Sequence, residues 1–284
     1  MGNINAVFFT AEVLVLYSIV GFILPLTCRM KDKALFILAC FLLVQPLHIM
    51  YAIISVVDPE FVVPAFKTRE SWQACNAMQA DGNFWQLTKV NLWEGQLASL
   101  AWAWDNARFF QSAALFLLGL LIGRRQLLLQ NNISFWYKAI AYGALCFFPL
   151  YGLKGMMISE FFAHKATQAS LKLVVTSLSN FAFTVILVSS IIIAYYNSPK
   201  LHKLMSKLIP YGKMSLTNYL TQSMIGGFIF YNWGLGLYDV LGITYSWLVG
   251  IGLFFIQFCI CKLWLSKYEQ GPFEYLWKRA TWLK

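Results

Sequence analysis

The chain is 284 residues long, 59% hydrophobic and only 12% charged, with a mean hydropathy of +0.61, which is too apolar for an ordinary soluble domain and makes lipid part of its solvent. Its 22 basic and 12 acidic residues give a net charge of +10, a balance that suggests nucleic acid until the charges are located. They gather at the ends of apolar runs, so the excess reports on membrane topology, and nucleic acid is excluded as a partner.

Apolar runs predict membrane helices near 6–27, 34–57, 108–123, 135–153, 171–196, 214–232 and 245–266, most of them close to the length that crosses a hydrocarbon core. Strict apolar–polar alternation is absent, and backbone in hydrocarbon must bond internally, so helices are expected and a barrel is not. The expected fold is all-α: a polytopic helical membrane bundle of about seven transmembrane helices, one membrane domain over 1–284. Placing 29–33, 124–138, 200–213 and the tail from Lys262 in the cytoplasm gives that side 15 of the 22 basic residues, as membrane insertion favours. Lys67 and Glu160 are then among the outer charges. The N-terminus lies outside and the C-terminus in the cytoplasm. With no signal peptide ahead of the first run, an outer start is what the loss of an odd number of preceding spans would produce.

The longest connection, 58–107, is outer and rich in Trp, and such loops usually carry function or structure of their own. Phe84, Leu87, Leu92, Trp93, Leu97, Leu100 and Trp104 form a broad helical stripe, predicting an interfacial helix against the outer leaflet or over a cavity. Six cysteines, at 28, 40, 75, 146, 259 and 261, show no metal-ligand spacing and read as small core residues.

Polar residues inside the apolar runs mark the candidate site. Glu12 lies in the first run, where a carboxylate must find a partner, face a cavity or take up a proton. In the second run, Pro46 removes a backbone donor and predicts a kink, and the neighbouring His48 is either a proton carrier or a packed histidine bonded to a backbone carbonyl. Asn218, Thr221 and Gln222 place polar groups in the sixth run, and spacing alone leaves open whether they line a cavity or join helices. Asn180 and Gln257 are their candidate partners. Asp105 and Arg108, three apart at the outer entrance to the third run, are spaced for a local ion pair or a substrate contact.

The segment Gly212-Lys213-Met214-Ser215-Leu216-Thr217-Asn218-Tyr219-Leu220-Thr221-Gln222-Ser223 resembles the G-R-M-x-L-T-N-Y-L-x-Q-S signature of YeiB-like bacterial membrane proteins. Gly271-Pro272-Phe273-Glu274-Tyr275-Leu276-Trp277-Lys278-Arg279 resembles that family's G-P-x-E-W-x-W-R tail, and Tyr231 with Gly234-Leu235-Gly236-Leu237 fits the stretch between. The resemblance is strongest over 211–282 and continues more loosely back to Glu12. Lys213 replaces the usual Arg and Tyr275 the usual Trp. The family usually begins with further spans and an Arg-rich, Asp-containing first helix, which this sequence lacks.

The resemblance implies a bacterial inner-membrane protein, a suggested part in transport, and a distant similarity to membrane acyltransferases. The catalytic histidine or arginines of those enzymes would fall in the absent front region, so none is carried onto a residue here. Three functions stay open. The first is transport or binding of a small or amphipathic envelope-related substrate around Glu12, His48, Asn218, Thr221 and Gln222. The second is acyl transfer to an envelope carbohydrate, with Glu12 or His48 as base. The third is a non-catalytic membrane scaffold. No triad, H-E-x-x-H or phosphate-loop motif is present. The expected partners are the bilayer and a small-molecule or lipid-linked substrate, with no cofactor. The sequence carries no signal for oligomeric state.

Overall fold

The computed structural model describes residues 1–58, 60–66, 68–156 and 164–282. Lys67 and Glu160 lie outside the described residues. Among these residues every regular element is helical. α1 (Gly2–Ala6) is little more than one turn. After an irregular stretch come α2 (Leu14–Gly21) and α3 (Ile23–Thr27), separated at Phe22. α4 (Asp32–Leu43) and α5 (Pro46–Val57) meet at 45°. Gln45 takes the left-handed conformation (φ 59°, ψ 63°) and Pro46 occupies the first turn of α5, where its missing N–H and fixed φ are tolerated.

The connection 58–107 is largely helical: α6 (Thr68–Asp81), α7 (Phe84–Val90), a π-helical turn (Asn91–Gly95) and α8 (Gln96–Asp105). Asn83 and Gln86 form a capping box that starts α7. Ala107, at φ 60°, ends this segment, and α9 (Arg108–Arg124) departs at 78°. α10 (Ile133–Met156), α11 (Lys165–Asn197), α12 (Pro199–Ser206), α13 (Ile209–Lys213), α14 (Ser215–Phe230), α15 (Ile243–Trp264) and α16 (Pro272–Trp282) complete the chain.

Among the described residues three helices are long and apolar enough to cross a membrane, Gln130–Lys154, Lys165–Asn197 and Ile243–Trp264, and the number reaches five if α4 with α5 and α7–α8 with α9 each form one bent span. Seven were expected from the apolar runs. The first run is divided at Phe22, and the sixth stops at Phe230 after 16 residues, roughly 24 Å of helix against a hydrocarbon core of about 30 Å. α11, by contrast, is about 50 Å long at 1.5 Å per residue. Large apolar side chains on the long helices point outward, Leu145 (69% exposed), Phe148 (70%), Trp247 (71%) and Leu263 (71%) among them, as expected where lipid is the solvent.

The single domain expected over 1–284 divides into two compact units, one of Met1–Val15, Lys67–Leu100 and Lys203–Lys284, the other of Leu16–Phe66 and Ala101–His202. In the second unit Leu35 and Ala39 of α4 pack with Leu117 and Leu121 of α9. At one end of that pair Asp32 meets Arg125 at 2.9 Å and Arg124 at 3.5 Å, solvent-screened ion pairs that add little to stability. α10 lies close on α11 at Gly143, where a Cβ would sit 3.1 Å from Ile186 and 3.4 Å from the Ala182 carbonyl. Small residues at such crossings let helices approach without a hydrophobic driving force between them. In the first unit α14 contacts α1, α13 and α16, while α7 and the π turn pack on α6.

Candidate functional site

In the first unit the site is built on the irregular residues ahead of α2. Glu12, placed inside a helix by the apolar pattern, instead precedes α2 and is 2% exposed. Its carboxylate accepts the Leu14 backbone N–H and the Asn5 side-chain amide, so it satisfies an open donor at a helix start, where negative charge is favoured. No Lys or Arg pairs with it among the described residues. Burial holds its carboxyl above the usual carboxylate range, against the lowering effect of the Asn5 and Leu14 bonds.

Thr10 is the hub beside it. Its hydroxyl donates to Asn91 Oδ1 at 2.8 Å and accepts from Gln79 Nε2 at 2.6 Å, while its carbonyl accepts the Ser99 hydroxyl at 3.2 Å. Asn91 opens the π turn, a distortion frequent at functional sites. Gly95 closes it, and a Cβ there would stand 3.1 Å from the Thr10 methyl. Phe8, Phe84 and Trp233 form an aromatic wall, with ring centroids 5.9 and 5.1 Å apart. Tyr231, bonded to Thr10, has its phenol pushed up to about 12 by burial, so it stays protonated at neutral pH. Three buried polar atoms of this site have no partner among the described residues: Asn5 Oδ1, Asn91 Nδ2 and Trp233 Nε1.

Of these residues the sequence marked only Glu12 as a candidate site residue, while Phe84 stood in the apolar stripe and Tyr231 in the family resemblance. Of the apolar stripe expected on α7–α8, Leu87 is buried while Leu92, Trp93 (73%), Leu97 and Trp104 are exposed, as is Trp85 (77%); the inward side is Leu87, Asn91, Gly95 and Ala98. The available signal was small and polar residues at spacings of four, four and three.

The sixth-run motif forms a second cluster in the same unit. Asn218, 5% exposed, donates to the Tyr211 carbonyl at 3.0 Å and accepts the Cys261 thiol at 3.2 Å. Gln257 donates to the Asn218 carbonyl and the Thr221 hydroxyl, both at 3.0 Å, and accepts the Tyr211 hydroxyl at 3.2 Å. Gln257 is thus the partner, while Asn180 is exposed on α11. Gln222 is turned away from this cluster and lines an open groove of ≈ 1090 Å³ with Phe230, Asp239, Ser246, Trp247 and Phe254. One turn back, Glu274 of α16 accepts the Thr217 N–H at 2.9 Å and the Thr217 hydroxyl. A Cβ at Gly271 would collide with both side chains.

In the second unit α5 and α11 are joined antiparallel by Ser55 with Thr167 (2.7 Å) and Gln45 with Ser177 (3.0 Å). His48 lies between these pairs, 4% exposed, with the Asp105 backbone beside its ring and Nδ1 without a partner among the described residues. Gln45 Oε1 and Ser170 Oγ are likewise unpartnered. Asp105 and Arg108 do not pair. The Asp105 carboxylate accepts the Phe66 N–H at 3.1 and 3.3 Å, whereas Arg108 donates to Gln111 at 2.7 Å and lies 5.9 Å from the centre of the Trp102 ring. The three-residue spacing assumed a continuous helix, and the left-handed turn at Ala107 breaks it.

The bonds from Thr217 to Glu274 join the two sequence signatures directly, which explains why they travel together. A family model described as "Protein of unknown function (DUF418)" matches residues 122–284. The chain belongs to the DUF418 family. Among curated relatives, YxaH of Bacillus subtilis (strain 168) is 35% identical over 92 residues, 32% of this chain and 23% of that protein. YeiB of Escherichia coli (strain K12) is 36% identical over 80 residues, 28% of this chain and 20% of that protein. The matched segments therefore span less than a quarter of the length of either relative. No solved structure matches. The DUF418 match covers α14, α15 and α16 with their bonded cluster. Glu12, Thr10, Asn91 and His48 lie outside it.

Proposed function

We propose that this DUF418 protein sits in the bacterial cytoplasmic membrane, N-terminus outside and C-terminus in the cytoplasm, and binds a small or amphipathic envelope-related molecule at the Thr10–Glu12 site for transport. Counting α2–α3 and α14 as short spans gives the seven crossings. The orientation is supported by the basic residues gathered on the proposed cytoplasmic side. One observation carries the binding reading: Asn5 Oδ1, Asn91 Nδ2 and Trp233 Nε1 are buried without partners in the unit that also buries Glu12. Each such atom costs about 1–3 kcal/mol unless something bonds to it, and an amphipathic guest with hydroxyl or amide groups would do so against the aromatic wall.

The test is mass spectrometry of small molecules that co-purify with the full chain from its own membranes in mild detergent, for the native protein and for Glu12→Gln and Asn91→Leu. A molecule enriched with the native protein and lost from folded variants supports the reading. Equal recovery from all three sinks it, and recovery of nothing beyond bulk phospholipid favours the scaffold.

A second reading, acyl transfer to an envelope carbohydrate, is favoured by His48, whose buried imidazole keeps Nδ1 free as a general base requires. Loss of an acylated product with His48→Gln, in protein that folds normally, would separate it from the binding reading.

A further inference from the structure

α16 has no buried residue, yet it is held in place. The Glu274–Thr217 bonds anchor its first turn, and Trp264 donates to the Gln270 carbonyl at 3.1 Å across the connection from α15. The anchored helix leaves two neighbouring hollows that share Gln270 and Tyr275. One, of ≈ 430 Å³, is lined by Lys278, Arg279 and Trp282. The other, of ≈ 670 Å³, is lined by Trp264, Lys267, Glu269 and Leu276. Tyr275, Lys278, Arg279 and Trp282 are spaced three, four and seven apart along one face. None of the three cations forms an ion pair among the described residues.

We infer that these hollows bind the headgroup of an anionic phospholipid, its phosphate between Lys278 and Arg279 with Lys267 nearby and its upper acyl chain along Leu276 and the Trp rings. Charge selects an anion, because three cations face one carboxylate, Glu269. Position selects a lipid: the hollows begin at Trp264, the last residue of a helix of membrane-crossing length. Exposed Leu276 (52%), Trp277 (57%) and Trp282 (70%) also need an apolar cover that a free phosphate would not provide. A basic, aromatic helix at a span end is the arrangement that lies in the interface plane and attracts anionic lipid.

The experiment is native mass spectrometry of the full chain in detergent, titrated with phosphatidylglycerol and with phosphatidylcholine of the same acyl chains. It does not depend on which side of the membrane the tail faces, nor on the Thr10–Glu12 site. Phosphatidylglycerol is expected to bind more tightly, and Lys278→Gln with Arg279→Gln to weaken it about five-fold for each charge removed. The swap Lys278→Arg with Arg279→Lys should retain binding. If the double variant fails to fold, Lys267→Gln should show the same five-fold loss alone. Equal binding of the two lipids, undiminished binding by the neutralised protein, or displacement of the lipid by millimolar inorganic phosphate would overturn the assignment.

Discussion

Glu274 accepts the backbone N–H of Thr217, 57 residues earlier in the chain, and the Thr217 hydroxyl with the same carboxylate. Thr217 lies in the first turn of α14, whose own N-cap residue, Met214, makes no side-chain cap. The open donors of that helix start are therefore met from α16, where a carboxylate also complements the helix dipole. Glu274→Ala should destabilise the folded protein by about 1.5–3 kcal/mol, the usual worth of hydrogen bonds to a charged group. Thr217→Val should cost less, since the backbone bond survives. The double variant should cost less than the sum of the two. Chemical unfolding in detergent measures all three, and strict additivity would show that the two residues do not act together.

Glu12 makes stability depend on pH with a defined sign. Its folded value is raised above the ordinary 4.5 by burial, so its contribution is fully present below that value and is lost as pH rises through the folded one. Glu12→Gln stays neutral and retains an acceptor for the Leu14 N–H. The variant should lose this part of the pH dependence, and near neutral pH it should melt no lower than the native protein. Melting temperatures between pH 4 and 8 decide it; a parallel fall in native and variant proteins would assign the dependence elsewhere.

The features written in local chemistry were legible in the sequence. Pro46 cannot donate to the preceding turn, and α4 and α5 do bend there. α10, α11 and α15 are apolar enough for composition alone to find them. Asn218 and Thr221 were recognisable as polar groups in an apolar helix, but their partner Gln257 lies 39 and 36 residues away, and no local pattern selects it over Asn180. The Thr10 network was hidden for a similar reason, since Asn91 and Gln79 reach Thr10 only after the π turn and α6 are in place. Asp105 and Arg108 misled because regular spacing was carried across a left-handed residue that the sequence does not announce.

Asn218 joins α14 to α13 and α15 with its side chain, and its carbonyl is held by Gln257. Asn218→Ala leaves the Tyr211 carbonyl and the Cys261 thiol without this partner, a loss of about 1–3 kcal/mol. Gln257→Leu should produce a comparable loss that is not additive with it, because both remove parts of one network. Gln222→Ala, on the exposed side of the same helix, should alter stability by less than about 0.5 kcal/mol. A Gln222 variant as unstable as the Asn218 variant would contradict the division between cluster and groove.

Trp85 and Trp93 point outward while Leu87, Asn91, Gly95 and Ala98 point inward, so α7–α8 presents a large aromatic face with nothing of its own unit covering it. An apolar, aromatic face of this kind is expected to lie in the membrane interface. In bilayers containing brominated lipids, the Trp93 fluorescence, isolated by difference against Trp93→Phe, should be quenched most by bromines near the headgroup. Strongest quenching by mid-chain bromines would make α7–α8 the upper arm of a bent span. Full quenching by aqueous iodide, with none from lipid, would place the aromatic face in water and remove the interfacial role.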